Sequence, residues 1–307
     1  MKHLLIVNPA AGGKDRTQEV SALAASAFAN RADSYKIYVT RGPMDAAAQI
    51  RKEASNGEEL RVYACGGDGT FNECVCAAAE LPNTAVCPFP VGTGNDFCRM
   101  FGQEADLYRD LPALLDGSVH PIDVVDCNGR YCVNICSAGI DARVGTDVHK
   151  YSGIPLIGGA TGYVVSLIVN LFAGINREME IHCGDYSDHG SHALVCVCNG
   201  RYYGGGFNPS KYARPDDGIL DIYIAGNIRL YQLPALLGKY ASGRADELTP
   251  HIIHLKGTEI DLRFKEQTVI NLDGEAVYTD HASIRLLPHA VNLIVPAGMK
   301  FFSGQNS

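Results

Sequence analysis

With 307 residues, 46% hydrophobic and 20% charged, the chain has the make-up of a globular protein long enough to build two cores. A net charge of −8, with no basic run longer than two residues, argues against a nucleic-acid backbone as partner and against membrane attraction through a polybasic patch. The eleven cysteines are an odd number, and Met1-Lys2-His3 leads straight into a strand-like run without a secretory leader, so reduced thiols and a cytoplasmic protein are the expectation. The C-x-C pairs Cys74/Cys76 and Cys196/Cys198 have no second pair or His at zinc-ligand spacing and read as small core residues. His182, His189 and His192 cluster in a polar, hairpin-like stretch, which a surface loop explains at least as well as a metal.

Taken in order, Leu4–Val7 is a buried strand and Asn8-Pro9-Ala10-Ala11-Gly12-Gly13 the loop at its C-terminal end. A helix follows, with Val20, Leu23, Ala24, Ala27 and Phe28 at helical spacing and Asp15 as its cap. Tyr35–Thr40 is the second strand, and Asp45–Ala54 the second helix. Val62–Cys65 is short, apolar and β-prone, Gly66-Gly67 punctuates it, and Phe71–Ala79 is helical. These glycines therefore lie where a strand hands over to a helix N-terminus. Unpaired N–H groups and the helix dipole favour an anion there, and residues without Cβ let a polyphosphate approach the backbone. Asp68 would repel that ligand unless a divalent cation lay between them. Gly-Gly-Asp-Gly alone is more often a tight turn. Val86–Pro88 leads into a further loop, Val91-Gly92-Thr93-Gly94-Asn95-Asp96, in which Asn95 and Asp96 suit helix capping. This alternation predicts an α/β domain with a parallel, Rossmann-like sheet, all three glycine loops lying at its ligand-binding edge.

After Leu115 the pattern turns to short β-branched segments: Val124–Asp126, Arg130–Ile135, Glu178–His182, Ala193–Cys198, Ile219–Ala225, His251–Lys256, Glu259–Phe264, Thr268–Leu272 and Ser283–Leu287. A mostly antiparallel β-sandwich or barrel is expected. Thr161–Phe172 is a helix too short to span a bilayer, and Arg229–Tyr240 is a weaker, proline-interrupted helix. Residues 1–118 are expected to form the nucleotide-binding domain and residues 119–290 the second, with Val291–Pro296 returning the segment 291–307 to the first.

Walker A, dinucleotide and protein-kinase signatures are all missing. Four motifs remain: NPAAGGK at Asn8, GGDGTFNE at Gly66, PVGTGNDF at Pro90 and NLDGEA at Asn271. In this order they resemble the diacylglycerol kinase catalytic-domain family, which includes bacterial lipid kinases and the sphingosine kinases. The similarity covers nearly the whole chain. It implies a two-domain, ATP-dependent lipid kinase with ATP in the cleft. The nucleotide-contacting positions map to Asn8, Pro9, Ala10, Ala11, Gly12, Thr40, Gly66, Gly67, Asp68, Gly69, Thr70, Phe71, Asn72 and Thr93, with Asp68 near the phosphates and Mg2+. Asn134–Gly139 and Asn199–Gly206 are similar to loops lining the cleft.

From spacing alone Asp273-Gly274-Glu275 is a solvated hairpin turn; the resemblance makes Glu275 the proton acceptor and Asp273 its supporting carboxylate. It also implies a structural Mg2+ site at Asp217 and the Ile219 carbonyl. Arg214 stands at the third ligand position, where the family often has Ser or Thr, so an acidic turn without an ion is an equal reading. The Gly153–Phe172 segment is a candidate lining for the lipid chains, or an ordinary core helix. Implied partners are ATP, a lipid and, transiently, the inner face of a membrane; a homodimer is left open. The expected acceptor is diacylglycerol, giving phosphatidic acid; phosphatidylglycerol, a sphingoid base or, since NAD kinases share GGDGT, NAD stand as alternative acceptors, and a catalytically silent nucleotide-binding regulator as an alternative function.

Overall fold

The computed structural model describes residues 1–91, 95–140, 142–143 and 174–303; Thr93, the expected helix Thr161–Phe172 and the Gly153–Phe172 lining lie outside the described residues. The chain forms two compact units, Met1–Val124 with Pro288–Ser307, and Val125–Leu287.

In the first unit, β1 (Lys2–Val7), β2 (Ser34–Val39), β3 (Leu60–Gly66) and β4 (Thr84–Pro90) run parallel in the order β4-β3-β1-β2. The end of β14 (Glu275–Val295) lies parallel to β4, with Asn292 opposite Ala85. Helices α1 (Thr17–Phe28), α2 (Asp45–Ala54) and α3 (Asp68–Ala78) make the crossovers. The chain steps from β1 to β2 in one direction and from β2 through β3 to β4 in the other. Right-handed crossovers then put α1 on one face and α2 and α3 on the opposite one, and α2 does pack on α3. Both faces being covered, Leu4 to Val7 are all buried and the strand reads as an unbroken apolar run. On α1 the inward stripe is Val20, Ala24 and Phe28; Leu23, expected in it, is turned out to solvent. Asp15 lies just ahead of this helix, where its carboxylate accepts from the N–H and the hydroxyl of Thr17.

The second unit is antiparallel, in the order β12-β11-β10-β7-β13-β14, with β8 on β13 and β9 on β8. Its strands are β7 (Ile135–Gly139), β8 (Arg177–Cys183), β9 (Tyr186–His192), β10 (Leu194–Cys198), β11 (Leu220–Ala225), β12 (Ile252–Gly257), β13 (Glu259–Leu272) and the first part of β14. The end of β5 (Ser118–Cys127) pairs with β6 (Arg130–Cys132). Strand β10 shows how both faces are filled. Val195 and Val197 join one apolar cluster with Ile181, Ile222 and Ile270, while Leu194, Cys196 and Cys198 join another with Tyr223, Leu236 and Tyr240. Helix α6 (Leu233–Ala241) covers the second cluster.

Several strand expectations change, and Ser283–Leu287 and Val291–Val295 prove to be parts of the single strand β14. Arg130–Ile135 is not one strand, because it breaks at Val133-Asn134, whose amides turn to a side chain. Glu259–Phe264 and Thr268–Leu272 are one strand, joined through an irregularity between Arg263 and Thr268. The hairpin-like, histidine-rich stretch is a strand pair rather than a loop: β9 pairs with β8, His182 Nδ1 lies 3.0 Å from Ser187 Oγ beside the turn, and within β9 His192 Nε2 lies 3.0 Å from Asp188. All eleven cysteines are free thiols, ten of them buried. Among the described residues no helix is long and apolar enough to cross a membrane.

Candidate active site

Register sets the site of the first unit. Val7 lies opposite both Val39 and Cys65, and Cys65 opposite Phe89, so the strands end at one level. The Asn8 loop, Thr40, Gly66-Gly67 and Val91 all begin there. Between β1 and β3 the crossovers diverge, and that crevice is where open α/β sheets bind ligands.

Side chains tie the two central loops together across it. The Asn8 N–H donates to the Cys65 carbonyl at 3.0 Å, Asn8 Oδ1 accepts from the Ala10 N–H at 3.0 Å, and Asn8 Nδ2 donates to Thr70 Oγ1 at 3.0 Å. Thr70 in turn explains Gly66: a Cβ there would lie 2.3 Å from Thr70 Oγ1. Beyond Asn8 the chain bends through Pro9 and Ala11 to Gly12 and Gly13, which adopt φ of 67° and 73° and are exposed. Gly67 is the N-cap of α3 and can offer no side-chain cap, so the amides of Asp68, Gly69 and Thr70 open the helix without one. Thr40 spends both its N–H and its hydroxyl on the Val7 carbonyl, at 2.9 and 3.4 Å, closing the edge of the sheet. Phe71 is 2% exposed and its ring packs on Phe97 with centroids 4.8 Å apart, so only its backbone faces a ligand position.

Asp68 is the acidic member of this cradle. Burial pushes its carboxyl above the ordinary carboxylate range, against the opposing pull of the Asp96 and Phe97 amides and the Arg99 charge. The Phe97 N–H reaches Asp68 Oδ1 at 3.4 Å. One turn along α3, Asn72 is buried and its Oδ1 has no hydrogen-bond partner among the described residues. A half-buried carboxylate with an amide oxygen four residues on is a hard oxygen donor set, of the kind that would suit magnesium. Asn95 is the N-cap of a short helix, α4 (Asp96–Arg99), without a side-chain cap bond, and Asp96 pairs with Arg99 at 3.0 Å.

In the second unit, β13 turns into β14 through Asp273-Gly274, at φ 49° and 96°, the left-handed pair of a tight hairpin turn. Sequence reasoning gave Asp273 a supporting role without showing how it is held. Its Oδ2 accepts from the N–H groups of Val133 (2.8 Å) and Asn134 (2.9 Å), and its Oδ1 from that of Ile135 (2.8 Å). The Asp273 N–H donates back to the Ile135 carbonyl at 3.1 Å. The Asn134 carbonyl receives the amides of Asn199 and Gly200 at 2.9 and 2.8 Å, and Asn199 Nδ2 donates to the Val133 carbonyl at 2.7 Å. Three loops are thus locked together around the Asp273 carboxylate, while Glu275, first residue of β14, stands exposed beside it. Asp273 positions the turn; Glu275 has the access a proton acceptor needs.

The expected second cation site does not fit. A guanidinium has no lone pair to give a metal. Arg214 instead lays Nε and Nη2 on the two oxygens of Asp216, at 3.0 and 3.3 Å, and Asp217 Oδ1 accepts from the Ile219 N–H at 3.1 Å. Arg214 brings the positive charge of this acidic turn itself.

Family comparison agrees with both units. Residues 2–127 match the diacylglycerol kinase catalytic domain, and residues 134–295 the YegS C-terminal NAD kinase beta sandwich-like domain. The chain is a kinase, and it belongs to the diacylglycerol kinase catalytic-domain family in the form that carries a YegS-type second domain. Two similar curated proteins carry the name of a probable lipid kinase. The "Probable lipid kinase YegS-like" of Pectobacterium atrosepticum is 27% identical over 299 residues, 95% of each chain, and the "Probable lipid kinase YegS" of Shigella flexneri is 28% identical over 257 residues, 81% of this chain and 83% of that one. The crystal structure of a "putative diacylglycerol kinase" from Bacillus anthracis str. Sterne superposes with a TM-score of 0.75 at 27% identity, over 95% of this chain and 96% of that one.

Proposed function

We propose that this lipid kinase transfers the γ-phosphoryl group of ATP to the hydroxyl of diacylglycerol, giving phosphatidic acid. The observation that carries the reading is the cradle at the β1–β3 crevice, where glycine backbone, a helix N-terminus without a side-chain cap and the half-buried Asp68 carboxylate meet. The amides of Gly12 and the first turn of α3 receive phosphate oxygens, and Asn8 and Thr70 hold those loops at a fixed spacing. Asp68 and Asn72 would hold Mg2+, which when bound neutralises charge on the phosphates. Glu275 draws the proton from the attacking alcohol, and Asp273 keeps Glu275 in place through its three amide bonds.

The test is incubation of the protein with labelled ATP and mixed micelles that carry, in separate samples, diacylglycerol, phosphatidylglycerol or a sphingoid base, with NAD as a soluble control. Label in phosphatidic acid is expected. Label in NAD, or in none of the acceptors, would overturn the reading.

A further inference from the structure

The segment Leu230 to Gly238, LYQLPALLG, is nine residues without a charge, and cations bracket it: Arg229 before, Lys239 after. Its inward side is ordinary core, since Leu236 and Tyr240 are buried in the cluster with Tyr223 and Leu248. Its outward side is unusual. Leu230 is 61% and Tyr231 73% exposed, and Pro234, Ala235 and Gly238 continue the exposed face along α6.

This is not a loose loop. Ile228, just before it, is buried and clamped on both backbone groups by Asn176, whose Nδ2 donates to the Ile228 carbonyl and whose Oδ1 accepts its N–H, each at 2.9 Å. Gln232 then folds back so that its side chain accepts the Arg229 N–H at 2.9 Å while its own N–H reaches the Arg229 carbonyl at 2.9 Å. The turn holds Leu230 and Tyr231 outward. Near its far end Lys239 and Arg244 share one carboxylate, Glu247, at 3.3 and 2.7 Å, two cations against one anion.

We infer that this face is the surface by which the enzyme settles on a lipid bilayer. Leu230 and Tyr231 enter the headgroup–acyl boundary, and Arg229 and Lys239 reach the lipid phosphates. An apolar face edged by cations, with a tyrosine at its tip, is the pattern of a helix lying in an interface. A second copy of the chain fits less well. A stable dimer covers about 800 Å2 per partner, and this face offers two large side chains followed by Pro, Ala and Gly. The inference rests on the lipid-kinase reading above for its occupant, because an acceptor embedded in a bilayer has to be met there.

The test is flotation of the full chain with vesicles of phosphatidylcholine alone and of phosphatidylcholine with equimolar phosphatidylglycerol, comparing wild type with Leu230→Ser/Tyr231→Ser and with Arg229→Gln/Lys239→Gln. The apolar pair of substitutions is expected to weaken partitioning about tenfold or more on both vesicles, and the charge pair to remove the preference for the anionic ones. Phosphorylation of a vesicle-embedded diacylglycerol should fall in parallel, while that of a dispersed short-chain diacylglycerol stays at the wild-type rate. Wild-type flotation by Leu230→Ser/Tyr231→Ser would overturn the inference, and so would a wild-type dimer that these substitutions dissociate without changing flotation. Flotation is read without turnover, so a wild type that binds vesicles as described yet phosphorylates no lipid would sink the kinase reading and leave the docking face standing.

Discussion

Asp273 shows what a residue-level reading of the sequence can and cannot see. Asp-Gly before a strand announces a hairpin turn, and the turn is there. The carboxylate's partners are 138 to 140 positions away, on backbone amides that carry no side-chain signature. Those amides would be left unsatisfied by Asp273→Ala, which should cost about 2–4 kcal/mol in chemical denaturation. The exposed Glu275→Gln should change stability by less than about 0.5 kcal/mol while abolishing turnover. Equal stability losses in the two variants would refute the division of labour between them. Arg214 is the converse case, a residue whose departure from the family pattern was legible but whose consequence needed coordinates. Its guanidinium neutralises Asp216, whose side chain is 1% exposed. Removing divalent cations with EDTA should therefore leave the unfolding midpoint of the protein unchanged. Arg214→Ser should cost about 3 kcal/mol by stranding a buried carboxylate, and magnesium should restore part of that loss. A wild type destabilised by EDTA would contradict this.

Among the elements, the first unit was the more legible, because a parallel sheet buried on both faces writes each strand as an apolar run and each crossover as a helical stripe. α2 begins and ends where its spacing places it, at Asp45 and Ala54. The second unit was recognised as antiparallel, but its strand ends were blurred. β13 continues through the polar residues Lys265 and Glu266, whose periodicity gives no sign of an irregularity in a strand, and β6 stops where Asp273 captures the next amides. The junction of β3 and α3 was plain from Gly66-Gly67, though the reason for Gly66 was not: it is the Thr70 side chain. Gly66→Ala should overpack this junction, at a cost of about 1–3 kcal/mol in thermal unfolding, and weaken ATP binding. Thr70→Ala in the same chain removes Oγ1 and Cγ2 but leaves the Thr70 Cβ 2.6 Å from the new methyl group, so it should recover only part of the stability and none of the affinity, since Asn8 Nδ2 then loses its acceptor. Recovery of both by titration calorimetry would show that the Asn8–Thr70 bond does not shape the cradle.

On the scale of the whole molecule, the end of the parallel sheet opposite the proposed nucleotide site carries a pH-sensitive contact. His3, at the start of β1, is buried with Nδ1 at 2.8 Å from the Tyr63 hydroxyl and its ring edge-on to Phe28 at 5.0 Å. Burial lowers its pKa to about 4, against the pull of Asp33 in the other direction. The unfolded chain, titrating near the ordinary value of 6.5, binds this proton more readily than the folded one. The stability that depends on neutral His3 is therefore fully present above pH 6.5 and is lost as the pH falls towards 4. The drop in melting temperature across that window should be smaller in His3→Gln than in wild type; an identical drop would remove His3 as its source.

The proposed reaction is tested most directly by one measurement: transfer of label from γ-labelled ATP to a total lipid extract by wild type, Asp68→Asn and Glu275→Gln, each first shown to be folded. Wild type should label a diacylglycerol-derived phospholipid and the two variants should not. Full labelling by either variant, or none by the wild type, would contradict a reaction in which the Asp68 cradle holds the phosphates and Glu275 takes the proton.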